Sequence, residues 1–407
     1  MRIDFGAEPG GPLAGIRVLD LSTIVSGPLC GQILGDLGAD VVKVEAPRGD
    51  SNRHLGGQGP GGVSGYFAQS NRNKRSVVLD LKREPAAEAM RRLAARADVL
   101  LENYRPGVME RLGLGYERLR GDNPRLVYAA VSGFGPDGPY AAQPAYDMVI
   151  QALSGSAKIL GSERQPRLVP NLMADKTAAL NAAYAIAAAL FERERTGEGQ
   201  RIDIPMLDAF SGFLHLDRIG ARAFAPPARP GEEPEPPQDT GYGELLFRAW
   251  ETQDGHVVAL VVEDHQFQAF CRAVERVDAI ADERFAGMLA RVQNARELIV
   301  FMEAEIRRFS TAELVRRGHR LGAPIAAVHG LDGFLNDPQV KSSGIVFDLD
   351  HPGVGTIPVL RSAPRFSRTP SDVRRPAPRL GEHTAEVLRE AGLSEDEIAE
   401  LDGPELS

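Results

Sequence analysis

The sequence predicts an α/β protein whose large domain is a Rossmann-like, doubly wound parallel sheet. Three observations carry this prediction: short apolar strands alternate with helical segments, glycine-containing turns join them, and the alternation continues through the first half of the chain. Such a pattern favours parallel pairing with right-handed crossovers. Because 407 residues exceed one ordinary core, we also expect a second, smaller α+β domain.

The first strand–helix–strand unit shows the pattern. Residues 16–20 have the composition of a short buried strand, and Gly27-Pro28 turns the chain into a helix over about 29–37. Residues 41–45 then form the next strand. The alternation continues with predicted strands at 76–81, 99–101, 126–131 and 200–205 and predicted helices at 84–97, 108–112 and from about 207.

Composition changes sharply at residues 226–237, a Pro/Glu-rich segment that has little to bury and is interpreted as a linker or exposed loop. The pattern restarts from Phe247 as a candidate second domain. Its predicted elements are strands near Trp250 and at 256–262 and helices near 267–275, 296–308 and 311–318. Extended segments at 323–329 and 344–349, a turn at 351–353 and a late helix at about 382–391 follow.

Charge and composition exclude several classes of function. Hydrophobic residues make up 43% and charged residues 25% of the chain, as in a soluble globular protein. A net charge of -9 argues against a nucleic-acid partner, so an anionic ligand would need a local basic patch. Cys30 and Cys271 form no disulfide or metal framework, which favours a cytoplasmic location. No run approaches the roughly 18 apolar residues of a membrane span, and residues 1–6 lack the order of a secretory signal.

Asp175 is the first candidate catalytic residue. It precedes an alanine-rich stretch, 178–189, which predicts a helix that can pack closely against other backbone and that stops before Gly197. A carboxylate at a helix N-terminus faces unpaired N–H groups that stabilise its charge. Aspartate is also a favoured N-cap, so position alone leaves a purely structural role open.

Two loops at predicted strand ends concentrate cations and amides. They are 71–76, Asn-Arg-Asn-Lys-Arg-Ser, and 102–107, Glu-Asn-Tyr-Arg-Pro-Gly. Loops at strand ends of an open α/β sheet bind ligands, and these side chains suit a nucleotide carrying phosphates, although solvated loops are also often basic. No G-x-G-x-x-G follows the first strand and no Walker loop occurs, which disfavours a standard NAD-type oxidoreductase or nucleoside-triphosphate site.

Several blocks together resemble the class III coenzyme A transferase family. They are Val18-Leu19-Asp20-Leu21 with Gly27-Pro28, residues 37–45, Asn73-Lys74-Arg75-Ser76, residues 102–107, residues 132–136, residues 194–200, and the tail block Gly381-Glu382-His383-Thr384. The resemblance covers nearly the whole chain in order. Residues 222–246 depart from it, because a Pro/Glu segment and Gly241-Tyr242-Gly243-Glu244 stand where the family usually carries an Asn/His/Pro-containing block.

The resemblance implies that Asp175 is the catalytic nucleophile. Its carboxylate would form a mixed anhydride and then an aspartyl-CoA thioester while coenzyme A passes from an acyl-CoA donor to a carboxylic acid acceptor. A coenzyme A thioester is then a substrate, with no tightly bound cofactor and no metal. The segment Ile24-Val25-Ser26 would line the reaction site, and Tyr146 and Asp147 would lie close to the reacting centre, although Tyr146 could equally be a half-buried packing aromatic.

The resemblance also implies contacts to the nucleotide part of coenzyme A. These would come from Arg48, Arg72, Asn73, Lys74, Asn103, Tyr104, Arg105 and Arg111. The expected assembly is an interlocked homodimer. The large domain would comprise residues 1–225, a linker and small domain residues 226–330, and a return segment, 331–407, that completes the large domain.

Two alternatives use the same fold. An α-methylacyl-CoA racemase needs two bases on opposite faces of the α-carbon and typically carries a His-Asp pair where this chain has Tyr146-Asp147, so the missing imidazole disfavours it. A non-catalytic CoA-binding protein would need no carboxylate such as Asp175 at the thioester. The acids exchanged cannot be deduced from the sequence.

Overall fold

The computed structural model describes residues 10–55, 63–217, 219 and 242–401. Its largest element is a six-stranded sheet in the order β3-β2-β1-β4-β5-β6, in which every neighbouring pair is parallel. The strands are β1 Arg17–Asp20, β2 Asp40–Glu45, β3 Lys74–Val78, β4 Val99–Glu102, β5 Val127–Ser132 and β6 Arg201–Pro205. This strand order is that of the Rossmann fold, and the order reverses between β1 and β4.

Helices connect these strands. They are α1 Ser26–Asp36, α2 Gly65–Ser70, α3 Glu84–Ala94, α4 Val108–Arg111, α5 Tyr116–Asp122, α6 Asp147–Leu153, α7 Ser156–Leu160, α8 Met173–Thr196 and α9 Met206–Leu214, with a short 3-10 turn at Ser51–Arg53. The long helix α8 ends at Gly197, whose φ of 81° closes the helix in the left-handed conformation.

Both faces of the sheet are covered, so the sheet is doubly wound. Along β1, Leu19 joins an apolar cluster with Met90 of α3, whereas Val18 joins a second cluster with Leu34 of α1 and Ala182 of α8. Successive residues of a strand point to opposite faces, which is why adjacent residues serve different clusters. The alanine side chains of α8 let it pack closely against α1.

The chain divides into two compact units, residues 1–223 with 343–407 and residues 224–342. In this division the return segment begins at residue 343, whereas the sequence placed it at 331. The second unit has a three-stranded antiparallel sheet, β7 Trp250–Glu251, β8 His256–Ala259 and β9 Ile325–Ala327, in the order β7-β8-β9. Its helices are α10 Tyr242–Leu246, α11 Asp264–Ala273, α12 Met288–Gln293, α13 Ala295–Ile306, α14 Thr311–Leu321, α15 Leu331–Asn336 and, running into Ser343, α16 Pro338–Ser343; a 3-10 turn spans Val277–Ala281.

The return segment carries a hairpin, β10 Val346–His351 and β11 Gly355–Leu360, and the helices α17 Thr384–Glu390 and α18 Glu395–Leu401. Val387 and Leu388 of α17 are buried in the same apolar cluster as Leu19. The Asn73 side-chain oxygen accepts the backbone N–H groups of Arg374 and Arg375 at 2.7 and 3.1 Å. Both ends of the chain therefore build the first unit.

The predicted strand at 76–81 needs correction. The strand β3 begins at Lys74, because Lys74 and Arg75 pair in register with Val41 and Val42 despite their charges. Each charge has a carboxylate partner, Asp20 for Lys74 and Asp40 for Arg75, which makes burial possible. The strand β11 was not predicted: the sequence indicated only an extended segment at 344–349 followed by a turn at 351–353. The segment 226–237 lies outside the described residues.

None of the helices in the described ranges is long and apolar enough to cross a lipid bilayer.

Candidate active site

The loops that follow β1 and β4 meet at the point where the strand order reverses. Asn103, directly after β4, accepts the N–H of Thr23 at 2.8 Å and donates to the Thr23 carbonyl at 2.7 Å and to the Ser26 hydroxyl at 3.3 Å. Ligands of open α/β sheets bind in the crevice at this reversal. The structure therefore gives Asn103 a definite role, holding the loop that leads into α1.

The same loop contains a strained residue. Ile24 has a φ of 68°, a conformation that a β-branched side chain rarely adopts. Its backbone is held from both sides: its N–H donates to Asp50 Oδ1 at 3.1 Å, and its carbonyl accepts from Asn52 Nδ2 at 2.7 Å. Such strain persists only where surrounding contacts over-determine the backbone, and it concentrates at functional sites.

Asp175 is the third residue of α8, and its helix is capped by another element. The residue before the helix is Leu172, which has no side chain able to cap it. Instead Asp147 of α6 accepts the N–H of Ala174 at 2.7 Å and of Asp175 at 3.1 Å, both on Oδ2. Asp147 thus satisfies donors that a helix start would otherwise leave unpaired.

The Asp175 carboxylate lies beside the first residue of α1. The hydroxyl and backbone N–H of Ser26 stabilise its charge, as does Lys176, but burial and the neighbouring charge of Asp147 act in the opposite direction and prevail. Burial, with Asp147 second, raises the pKa of Asp175 from 3.8 to about 6. The group is therefore largely ionised at neutral pH yet much more basic than an ordinary aspartate.

Of the residues expected around the reacting centre, Ser26 and Asp147 lie against Asp175. Tyr146 immediately precedes α6, and 64% of its surface is exposed, so it is not the half-buried packing aromatic considered above. The Lys176 ammonium is bonded to the Asn171 side chain at 2.5 Å.

Three residues expected to contact coenzyme A are buried in ion pairs or backbone contacts. Arg72 pairs with Asp36 at 2.6 Å, and the Asn73 amide donates to Asp36 and to the Asp372 carbonyl, both at 2.8 Å. Lys74 is completely buried and donates to Asp20, to the Pro28 carbonyl and to Asn71 at 2.7, 2.7 and 2.9 Å. All three ammonium protons of Lys74 are thus engaged inside the protein.

The buried ion pair between Lys74 and Asp20 also explains why position 31 of α1 is a glycine. A Cβ placed on Gly31 of α1 would lie 2.7 Å from Asp20 Oδ2 and 3.2 Å from Lys74 Nζ. Burial lowers the pKa of Lys74 to about 8, although the Asp20 charge favours the protonated form. The pair lies under the loop that holds Ile24, since Asp20 also accepts the Ser22 N–H at 3.0 Å and the Ser22 hydroxyl.

The remaining expected coenzyme A contacts are more accessible. Arg48, Arg105 and Arg111 are exposed, and Tyr104 is half-buried. Within the described ranges, no hydrogen bond or ion pair engages the guanidinium of any of these three arginines. Arg105 and Arg111 belong to the loop and short helix that follow β4, on the same connection as Asn103.

Sequence reasoning missed three buried polar residues of this site, Asp50, Asn52 and Gln151. Asp50 and Asn52 hold Ile24, and Gln151 donates to Asp147 at 2.5 Å. The apolar Leu172 at the cap position of α8 indicates that another element supplies the acceptor, which is Asp147, but no comparable sequence signal marks Asp50, Asn52 or Gln151. No group of three His, Cys, Asp or Glu side chains that could hold a metal occurs among the residues that the structure describes.

The fold and this site define an α/β protein with a buried carboxylate of raised pKa at its switch point. Comparison with known proteins specifies the class: the model of CoA-transferase family III matches residues 13–384, so the chain belongs to that family.

Curated relatives have similar lengths. The chain is 36% identical to the succinate–glutarate CoA-transferase of Agrobacterium fabrum, covering 93% of this chain and 95% of the relative. It is 33% identical to the formyl-CoA:oxalate CoA-transferase of Escherichia coli O157:H7, covering 96% and 98%.

Solved structures agree with the fold. A CAIB/BAIF family protein from Brucella suis has a TM-score of 0.78 at 34% identity, covering 94% of this chain and all of that one. The D175A mutant of Rv3272 from Mycobacterium tuberculosis has a TM-score of 0.81 at 32% identity, covering 93% and 99%. The protein is a family III CoA-transferase.

Proposed function

We propose that this CoA-transferase moves coenzyme A between carboxylic acids through covalent intermediates on Asp175. The observation that carries the proposal is the position of this carboxylate: it begins a long helix, faces the first residue of a second helix, and has a pKa raised to about 6. Family membership supplies the type of reaction, and the geometry favours Asp175 as the nucleophile within it.

Four acyl-transfer steps complete the cycle. The Asp175 carboxylate oxygen attacks the donor thioester carbonyl and expels CoA thiolate, forming a mixed anhydride. The thiolate then attacks the aspartyl carbonyl and releases the donor acid, leaving an aspartyl-CoA thioester. The acceptor carboxylate attacks this thioester and expels the thiolate again. Finally the thiolate attacks the acceptor's acyl carbon, which regenerates the Asp175 carboxylate.

A raised pKa suits this cycle. The nucleophile must be ionised, which a pKa of about 6 still allows at neutral pH. A more basic carboxylate is a stronger nucleophile toward the thioester. Each tetrahedral oxyanion needs donors, and backbone N–H groups near the α1 start, where Ser26 lies, are suitable ones.

For coenzyme A we propose that Arg48, Arg105 and Arg111 contact the phosphates and that Tyr104 packs against the nucleotide. Their exposed guanidinium groups support this choice over Arg72, Asn73 and Lys74, which are engaged internally. We assign those three, with Asn103, to holding the loops around the site. In the proposed cycle the coenzyme A thioester is a substrate, and the reaction requires no tightly bound cofactor or metal.

We propose a homodimer as the working assembly, interlocked as the family resemblance implies. Helices α6, α8 and α9 pack together, and each exposes large apolar side chains that a lone chain would leave in water. On α8 these are Leu180, Tyr184 and Phe191, each more than half exposed. Light scattering of the wild-type protein should give twice the mass of one chain, and the double variant Leu180→Glu with Tyr184→Glu should have a lower mass. A wild-type protein with the mass of a single chain would contradict the proposal.

The buried, unpaired thiols of Cys30 and Cys271 suit a reducing compartment such as the cytoplasm.

The central experiment compares wild type with Asp175→Asn. Incubation with an acyl-CoA followed by hydroxylamine should convert the wild-type aspartyl thioester to a hydroxamate on the peptide that contains Asp175, detected by mass spectrometry. The variant should form no adduct and should lose turnover at least about 1000-fold while still binding coenzyme A. A hydroxamate on another residue, or retained turnover, would contradict the assignment. Donors and acceptors should be screened with succinate, glutarate, oxalate and fatty acids.

A further inference from the structure

Gln151 is a buried side chain to which the mechanism above gives no role. It lies on α6 one turn after Asp147, and only 1% of its surface is exposed. Its Nε2 donates to Asp147 Oδ1 at 2.5 Å, to the Asn171 carbonyl at 3.0 Å and to the Val169 carbonyl at 3.3 Å, and its Oε1 accepts the Val169 N–H at 2.9 Å.

These partners determine the orientation of the amide. Every group near Nε2 is an acceptor and the group near Oε1 is a donor, so a flipped amide would face mismatched groups on both sides. A residue that offered only acceptors at this position would oppose one carboxylate and two carbonyls. Gln151 is therefore matched to its surroundings in both halves of its side chain.

The contacts of Gln151 join α6 to the segment that precedes α8. Residues 169–171 form the irregular segment that leads into α8, and Gln151 ties this segment to α6. It also occupies one oxygen of Asp147, which leaves Oδ2 directed at the N–H groups of Ala174 and Asp175. The place of Asp175 thus depends on Asp147, and the place of Asp147 depends on Gln151.

We propose that Gln151 is a positioning residue for the reaction at Asp175, acting by holding the Asp147 carboxylate and the 169–171 segment that begins the catalytic helix. This inference rests on the proposed nucleophilic role of Asp175. Gln151 itself touches no reacting atom.

Because the pKa of Asp175 depends on the charges around it, that pKa can be used to measure the positioning role of Gln151. Asp147 of α6 raises the Asp175 pKa, whereas Ser26 of α1 and Lys176 of α8 lower it. A glutamate at 151 would bring a third carboxylate into contact with Asp147, and its added negative charge would disfavour ionisation of Asp175. The pKa of Asp175 in Gln151→Glu should then be higher than in the wild type by about 1.

The test uses Gln151→Glu, Gln151→Met and, as a matched control, Gln143→Met, which changes an exposed glutamine just before α6. Carboxyl ¹³C NMR titration of aspartate-labelled protein follows Asp175, whose resonance is the one missing from Asp175→Asn. In Gln151→Glu we expect the Asp175 pKa to rise by about one. Both Gln151 variants should lose about 10-fold in kcat or more, with KM for the acyl-CoA changed less than about 3-fold, whereas Gln143→Met should match wild type.

An unchanged Asp175 pKa in Gln151→Glu together with wild-type kcat in Gln151→Met would overturn the inference. If Gln151→Glu does not fold, the kcat and KM of Gln151→Met decide alone, because methionine keeps the volume without the hydrogen bonds. Failure of the proposed function is a separate result: Asp175→Asn would retain turnover, while the NMR titration would still report whether Gln151 controls the carboxyl pair.

Discussion

Oδ2 of Asp147 accepts the backbone N–H of Asp175 at 3.1 Å, so the residue that caps α8 is also a charged neighbour of the proposed nucleophile. A carboxylate in this position stabilises the start of α8 through its hydrogen bonds. The same charge, together with burial, makes ionisation of Asp175 harder. One side chain therefore both caps the helix that carries the proposed nucleophile and contributes to the raised pKa of that carboxyl.

The first prediction concerns the pH dependence of activity. The pKa of Asp175 is about 6, and only the ionised form attacks, so kcat/KM should fall tenfold per pH unit well below pH 6. Burial also raises the pKa of Glu102 to about 7, which makes Glu102→Gln the appropriate control. An acid limb that persists near pH 6 in Glu102→Gln assigns it to Asp175; its disappearance would assign it to Glu102.

The second prediction is that replacing the nucleophile stabilises the fold. The folded-state pKa of Asp175, about 6, exceeds its ordinary value of 3.8, so burying the ionised group is a cost that applies fully above pH 6 and vanishes below pH 3.8. Asp175→Asn should therefore raise the free energy of unfolding by about 2 to 3 kcal/mol at pH 8 but by only about 0.5 kcal/mol at pH 4.

Urea unfolding at the two pH values measures this difference. Asp137→Asn, which removes the same charge from an exposed loop, should change stability little at either pH. An equal effect of both substitutions would show that net charge, rather than burial of Asp175, is responsible.

The site could be predicted only in part. The alanine-rich stretch predicted a closely packed helix that begins near Asp175, and the alternation of strands predicted the parallel sheet; the structure confirms both. The catalytic role of Asp175 stays a prediction from the family resemblance. The internal engagement of Lys74 could not be predicted, since its partner Asp20 is 54 residues away and a basic loop has the same composition whether its charges face solvent or an ion pair.

Contacts between distant segments were equally inaccessible. Asp50 lies 26 residues from Ile24, and no local pattern requires a left-handed backbone at an isoleucine. Such features arise from tertiary packing that overrides local preference.

The third prediction separates a site-specific role of Asn103 from its contribution to stability. Asn103→Ala removes the contacts to Thr23 and Ser26, and Asn123→Ala removes a matched pair of donations to the Ala94 and Ala97 carbonyls. Both should cost about 1 to 3 kcal/mol of unfolding free energy.

Only Asn103→Ala should also lower kcat, by about 10-fold or more, because it frees the loop beside Asp175. Steady-state kinetics and thermal unfolding of the two variants show whether Asn103 affects activity separately from stability. If Asn103→Ala and Asn123→Ala lose the same amount of activity, Asn103 acts only through the stability of the fold.

The fourth prediction divides the arginines into two groups. Arg111→Gln and Arg105→Gln should weaken coenzyme A binding about 10-fold each and reduce its salt dependence, with stability changed by less than about 0.5 kcal/mol. Arg72→Gln should instead destabilise the protein by about 3 to 5 kcal/mol, because Asp36 would be left buried without its partner.

Calorimetric titration with coenzyme A at two salt concentrations, together with urea unfolding, tests all three variants. Undiminished binding in both Arg111→Gln and Arg105→Gln would remove these residues from the phosphate site.

The late helix α17 contributes Val387 and Leu388 to the cluster around Leu19, and Asn73 holds the backbone at Arg374 and Arg375. A nascent chain still attached to the ribosome therefore lacks part of this hydrophobic core until residues 384–390 have been translated and have left the ribosome. Premature termination before residue 384 would expose the apolar groove that α17 fills, and the product would be a target for chaperones and proteases instead of a smaller working enzyme.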